Sequence, residues 1–178
     1  MPLRENFKKI KDELWQGSTE RALELIACAT SEEFDSRKEF CTWTDNNGNG
    51  LICAALHKPD ALPLLDALLD AGCDPDSRCG GSHPISVLID EGAEHSLSFV
   101  EEVATLLRRG ANPNVSGLAG AGMTVLHHAI DRRRYSIVEL LLQHGGDPDV
   151  DLEGDGDTAR KSAKNNLTVA ALFEKYGK

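Results

Sequence analysis

"TVLHHAIDRRRYSIVELLLQHGGDPDV", Thr124 to Val150, decides how this chain folds. A short apolar helix starts after Thr124. "RRR", 132 to 134, covers a turn and by default is solvated. "IVELLLQHG" then repeats leucine at helical spacing. Gly145 falls where a helix wants a left-handed cap. The stretch therefore reads as two helices joined by a turn and closed by "GGDPDV".

The same grammar occurs elsewhere. "GCDPDS" begins at Gly72 and "GANPNV" at Gly110, after the apolar runs "LPLLDALLDAG" and "FVEEVATLLRRG". A shorter helix precedes each run, and the starts align at Gly50, His83, Thr124 and Thr158. Their separations are 33, 41 and 34 residues. A two-helix unit of about 33 residues resembles the ankyrin repeat. "TVLHHA" is similar to that family's T-P-L-H-x-A, with Pro84 and His83 standing where its Pro and Thr would be. "DNNGNG", Asp45 to Gly50, is similar to its D-x-x-G-x-T turn.

The resemblance covers about residues 45 to 175. It implies an all-α solenoid of helix-turn-helix units, with hairpin-like loop fingers and a cap at each end. The expected layout is a single domain, 1–178. Residues 1–44 form an N-terminal helical cap, 45–77, 78–118 and 119–152 three central repeats, and 153–178 a capping repeat. Residues 4 to 30 read as a degenerate first unit, striped by Phe7, Ile10 and Leu14 and then by Ala22, Leu23, Leu25 and Ile26. Some positions depart from the family. Arg78 and Ala119 replace the turn Asp, and Cys53, Ser86 and Lys161 replace the His kept as His127. Those units are expected to lack the corresponding hydrogen bonds, and the second and third fingers to be looser. The second repeat carries the extra stretch "DEGAEHSLS" between its helices.

By the same resemblance, a partner docks on a concave face of finger tips and exposed first-helix positions. Stacked repeats hold such a face rigid, so docking loses little ordering entropy. The positions implied are Asn46, Asn47 and Asn49; Arg78, Cys79 and Ser82; Leu118 and Met123; and Asp151, Asp155 and Asp157 on the fingers. The helices add His57, Lys58, Asp90, Glu91, Asp131 and Arg132. Trp43, outside the helical stripes, reads equally as an interface anchor or as a plug over the N-terminal cap.

Residues 145 to 157, "GGDPDVDLEGDGD", carry an acid at six positions, and most are repeat grammar. Asp147 and Asp149 align with Asp74 and Asp76. Glu153 aligns with the turn residue Asp45, and Asp151, Asp155 and Asp157 are left as surplus. A calcium loop fits at Asp151, Glu153, Asp155 and Gly156, but its twelfth position, a bidentate Glu, is Ser162. No metal is expected there. Cys73, Cys79 and His83 match no common zinc spacing.

The formal charge is −10 over 178 residues, against nucleic acid and anionic membrane as partners. Arg4, Lys8 and Lys9 open the chain with no apolar run after them, so neither a leader nor a membrane span is expected. Five irregularly spaced cysteines argue against a disulfide framework and for a reducing cytoplasm. Cys53 and Cys73 read as buried small residues. Cys79, in a Gly-rich finger, reads as the exposed and modifiable thiol. His127, His128 and Asp131 could mimic a catalytic pair, but no nucleophile accompanies them. No phosphate-binding or dinucleotide fingerprint occurs. The expected protein is not an enzyme and has no cofactor. It is monomeric on its own and binds another protein with a basic surface. An immunity or inhibitor role against a toxin or effector comes first, and a scaffold or host-directed adaptor second.

Overall fold

A computed structural model describes residues 2–30, 39–58, 61–91, 97–117 and 122–176. Leu118 lies outside these, as do the side chains of Phe7 and Glu91 and most of the extra stretch in the second repeat. The helices are α1 (Pro2–Gln16), α2 (Thr19–Thr30), α3 (Leu51–Leu56), α4 (Ala61–Asp70), α5 (Pro84–Glu91), α6 (Leu97–Arg108), α7 (Val125–Asp131), α8 (Tyr135–Gln143), α9 (Ala159–Ser162) and α10 (Leu167–Tyr176). The β-pairing among the described residues amounts to three isolated bridges, Thr44 with Gly50, Cys79 with Ser82 and Ser116 with Thr124. The fold is all-α, as the periodicity implies.

All four helix starts read from the sequence stand where expected. Gly50, Thr124 and Thr158 are extended residues immediately before α3, α7 and α9. His83 immediately precedes α5. The long helices stop at Gly72, Gly110 and Gly145, whose φ angles are 93°, 94° and 92°. Each such glycine lets the next N–H turn back to the helix. Cys73, Ala111 and Gly146 donate to Leu68, Leu106 and Leu141 carbonyls at 2.8–3.1 Å.

The chain divides into two compact units, Met1–Pro84 and Ile85–Lys178. In the first, α1 pairs with α2, α1 packs on α3, and α2 packs on α4. First helices thus stack on first helices and second on second, and α1–α2 acts as a repeat. Its core holds Ile10, Leu14, Ile26, Phe40, Ile52, Leu64, Leu65 and Leu68, all essentially without exposure. In the second unit α9 packs on α7, and α6 and α10 both pack on α8. Ile85, Ile89, Leu106, Val125, Ile137, Leu141 and Val169 fill its core.

The cysteines correct the sequence reading. Cys41 and Cys73 form a disulfide, with Cα atoms 4.5 Å apart. Cys73 is buried, as a small residue there should be, but it is not a free thiol. Cys79 is 5% exposed, so it is not the open thiol that its finger suggested. Its finger is a two-residue hairpin. Gly80 and Gly81, with φ of 57° and 100°, make the turn, and Cys79 and Ser82 exchange backbone hydrogen bonds at 2.9 and 3.0 Å. That tight closure turns the Cys79 side chain inward.

Candidate interaction surface

The loops that follow the long helices are built identically. The third residue of each G-x-[DN]-P-[DN] phrase accepts a hydrogen bond from the N–H two residues on. Asp74 takes Asp76, Asn112 takes Asn114, and Asp147 takes Asp149, each at 2.9 Å. A short side chain accepting from the backbone two residues on makes a turn without a helix or sheet. Asn114 also links successive loops of the second unit. It donates to the Gly145 carbonyl at 3.1 Å and accepts from the Asp147 N–H at 2.8 Å. Within the acidic stretch, Asp147 therefore holds the loop together.

Asp149 is committed as well. Arg160 grips its carboxylate with two bonds of 2.6 and 2.8 Å, and this guanidinium holds the Asp149 carboxyl below the usual range. The Arg160 guanidinium also lies 5.4 Å from the Phe173 ring centroid, tying the loop to α10. A groove of about 740 Å³ runs beside this clamp, between Leu142, Gly145, Asp147 and Tyr176. Its polar wall pairs with itself, since Gln143 donates to the Tyr176 hydroxyl at 3.0 Å.

The fingers differ from one another. In the first, one oxygen of Asp45 accepts from the Asn47 and Asn49 N–H groups at 2.8 and 2.9 Å. Burial pushes the Asp45 carboxyl up, but those backbone donors, the Asn49 side chain and Lys11 together hold it low. The Asn49 side chain donates to Asp45, so it serves the finger rather than its surface. Asn46 and Asn47 are exposed. Trp43 is half-buried beneath the Lys11 ammonium, 5.7 Å from the ring centroid. In the third finger, Gly117 donates to Met123 at 2.7 Å, and Met123 is half-buried.

The fourth finger answers how its remaining acids are used. Asp151, not Glu153, holds the turn. Its two oxygens accept from the N–H groups of Glu153, Gly154 and Gly156 at 3.2, 2.6 and 2.7 Å. The Gly156 N–H, then those of Gly154, Glu153 and Asp155, outweigh the small effect of burial and hold this carboxyl low. Amide donors thus surround the carboxylate where a cation's other ligands would have to converge. Among the described residues no group of three or more His, Cys, Asp or Glu could hold a metal ion. Asp155 is exposed, though one oxygen accepts from the Asp157 N–H at 2.9 Å. Leu152 stands 43% exposed among these carboxylates, and the sequence reading missed it because it counted only acids there.

The first-helix positions split. His57 is exposed, with its Nδ1 2.8 Å from the Cys53 carbonyl, while Lys58 donates to the Gly17 carbonyl at 2.7 Å and is half-buried. Arg78 and Asp131 are exposed. Asp90 is not the exposed residue expected. Its side chain is 7% exposed, 2.8 Å from His128 Nδ1 and 2.9 Å from the Arg132 guanidinium. Two helices, α5 and α7, are pinned by this cluster. Gly117 makes room for it, since a Cβ there would come within 2.4 Å of His128 Nε2. The arginine turn is also less solvated than its sequence suggests. Arg134 lies 4.7 Å from the Phe99 ring centroid and donates to the Leu88 carbonyl at 3.4 Å.

The repeat histidine bonds at the start of its own helix and also faces the next finger. His127 Nδ1 accepts from the Thr124 N–H at 3.1 Å. Burial pushes this imidazole down, against the pull of Asp157 and the Thr158 backbone. Ser86, at the matching position, was expected to make no such bond. It donates to the Ser116 carbonyl of the next finger at 2.7 Å. A hydroxyl spans that gap because α5 packs close to the finger.

The family model for ankyrin repeats, in three copies, matches residues 51–153, more than half of the chain. The chain belongs to the ankyrin repeat family. An ankyrin repeat protein of Acanthamoeba polyphaga mimivirus is 40% identical over 55 residues, covering 30% of this chain and 13% of that protein. The 2-5A-dependent ribonuclease of Homo sapiens is 51% identical over 49 residues, covering 28% of this ankyrin chain and 6% of the enzyme. The chain therefore spans only a small part of either relative. Ankyrin repeats are protein–protein interaction modules. Among the described residues no helix is long and apolar enough to cross a membrane.

Proposed function

We propose that this ankyrin chain binds a specific protein with a basic surface and neutralises it by occupancy, as an immunity or inhibitor protein does for a toxin or effector. The carrying observation is Leu152, an exposed apolar side chain directly before the exposed carboxylates Glu153 and Asp155. An apolar contact beside negative charge suits a partner that presents a hydrophobic residue among lysines or arginines. The net charge of −10 favours the same kind of partner. Within the second unit, the exposed Asp131 would extend the contact. Asp90, Asp149 and Asp151, already paired or bonded within the chain, would support it rather than touch the partner. The chain would act without cofactor or catalysis, in the cytoplasm.

The test is capture of the partner from the chain's own cells, followed by binding kinetics at two salt concentrations. Glu153→Gln with Asp155→Asn should slow association and flatten its salt dependence. Leu152→Asp should speed dissociation. Unchanged kinetics in both variants would remove this finger from the interface. If the captured protein is an enzyme or toxin, one equivalent of this chain should abolish its activity. Simultaneous binding of two proteins with activity intact would favour a scaffold instead.

A further inference from the structure

We propose that Cys41 and Cys73 are a reversible thiol–disulfide pair, a redox-modifiable site that locks the first repeat and its finger. Cys41 ends a helical turn at 39–41, and Cys73 directly follows the Gly72 cap of α4. The two lie 32 positions apart, with Trp43, the first finger, α3 and α4 between them, so the bond joins the entrance of one repeat to its exit.

The fold does not require cysteine there. At the same place after the long helix the other repeats carry Ala111 and Gly146. Ala111 is buried like Cys73, and its N–H makes the same turn-back bond. Cysteine stands at this position in only one of the three phrases, and there a second cysteine lies opposite it. The cap fixes the Cys73 backbone through the bond to Leu68, so Cys73 waits in place in either redox state.

The two sulfurs also differ in access, which gives the exchange an order. Cys41 is half-buried and Cys73 is 4% exposed. A small disulfide, RSSR, is the oxidant. The deprotonated Cys41 sulfur attacks one sulfur of RSSR, forms a mixed disulfide and releases one RS⁻. The deprotonated Cys73 sulfur then attacks the Cys41 sulfur, closes the internal bond and releases the second RS⁻. Two protein thiols are oxidised, RSSR is reduced to two RSH, and the two thiol protons pass to the leaving thiolates. Excess RSH runs the sequence backwards.

The consequence falls on the finger. Trp43 is two residues beyond Cys41, and the Thr44–Gly50 bridge closes the finger immediately after it. With the disulfide formed, this strand of chain is anchored at its root. The hydrophobic core of the first unit is built from Phe40, Leu64, Leu65 and Leu68, all without exposure, and does not need the bond to hold it. The switch is therefore local.

The whole chain would be equilibrated in glutathione buffers of graded ratio, alkylated and mapped by mass spectrometry. Cys41 and Cys73 should lose alkylation together with one midpoint. Backbone hydrogen exchange at Asn47 and Asn49 should be about tenfold slower in the oxidised form, since local opening is what the anchor suppresses. Cys73→Ala, which copies Ala111, should fold and show fast finger exchange in every buffer. Trp43 fluorescence in a Trp15→Phe background should follow the same midpoint. Full alkylation of both thiols in oxidised glutathione would overturn the pairing. Oxidation of the pair with equal finger exchange in both forms would overturn the lock.

Discussion

The three loops that close the long helices and the fingers that precede the short ones are made from similar residues, yet they are held differently. Every loop uses the same bond, from a third-position Asp or Asn to the N–H two residues on. The fingers use a carboxylate at Asp45, a Gly–Gly hairpin at Cys79–Ser82, a backbone pairing between Gly117 and Met123, and a carboxylate at Asp151. The loops share one geometry, and in the second unit Asn114 ties one loop to the next. Fingers need only close, and several chemistries close them.

The largest effect should come from the constant part. Leu141 has no exposure, and Leu141→Ala should cost about 2–5 kcal/mol in denaturant unfolding. A loss under about half a kcal/mol would place it outside the shared core. Next is the seam where a finger meets a helix. Gly117→Ala would drive a methyl into the His128 imidazole, and overpacking should cost about 1–3 kcal/mol. A neutral result would mean that the third finger gives way freely, which would sharpen the contrast with the loops.

A smaller effect should appear with pH. The His127 imidazole is held below its ordinary value by burial. Its neutral form therefore contributes stability that is fully present above about pH 6.5, the unfolded value. That contribution is lost as pH falls from there through the folded value. Wild type should show the loss between neutral and mildly acid buffer, and His127→Gln should show less of it. The smallest effect concerns the arginine turn. Arg133 is the one non-glycine described with a left-handed φ, 55°. Arg133→Gly should raise stability by about 1 kcal/mol, read as a higher denaturant midpoint.

The repeat architecture was legible because it is written in period and punctuation. Leucine spacing, the glycine caps and the residues before α3, α5, α7 and α9 all act locally, so sequence neighbours suffice to place them. What escaped depends on residues one repeat apart. Cys41 and Cys73 are separated by 32 positions, nearly the repeat length, and stacking brings them together. Asp90 reaches His128 across 38 positions, lengthened by the insertion in the second repeat. The repeat period itself was the unused signal for both. The turn role moved from Glu153 to Asp151 because Gly154, like Gly156, adopts a left-handed conformation, with φ of 76° and 79°. Two turn glycines made two registers possible, and only the geometry chose between them.

The central claim is that the alternating acids of 145–157 are not one stripe. Asp147, Asp149 and Asp151 spend their carboxylates on bonds that hold the loop and the finger, and Glu153 and Asp155 stand open to solvent. Residue-resolved hydrogen exchange on Asp151→Ala and Asp155→Ala tests this without a partner. Asp151→Ala should release the Gly154 and Gly156 amides, which are protected in wild type, while the Asp149 amide stays slow. Asp155→Ala should free only the Asp157 amide. Protection at Gly154 and Gly156 that survives the loss of Asp151 would contradict the account.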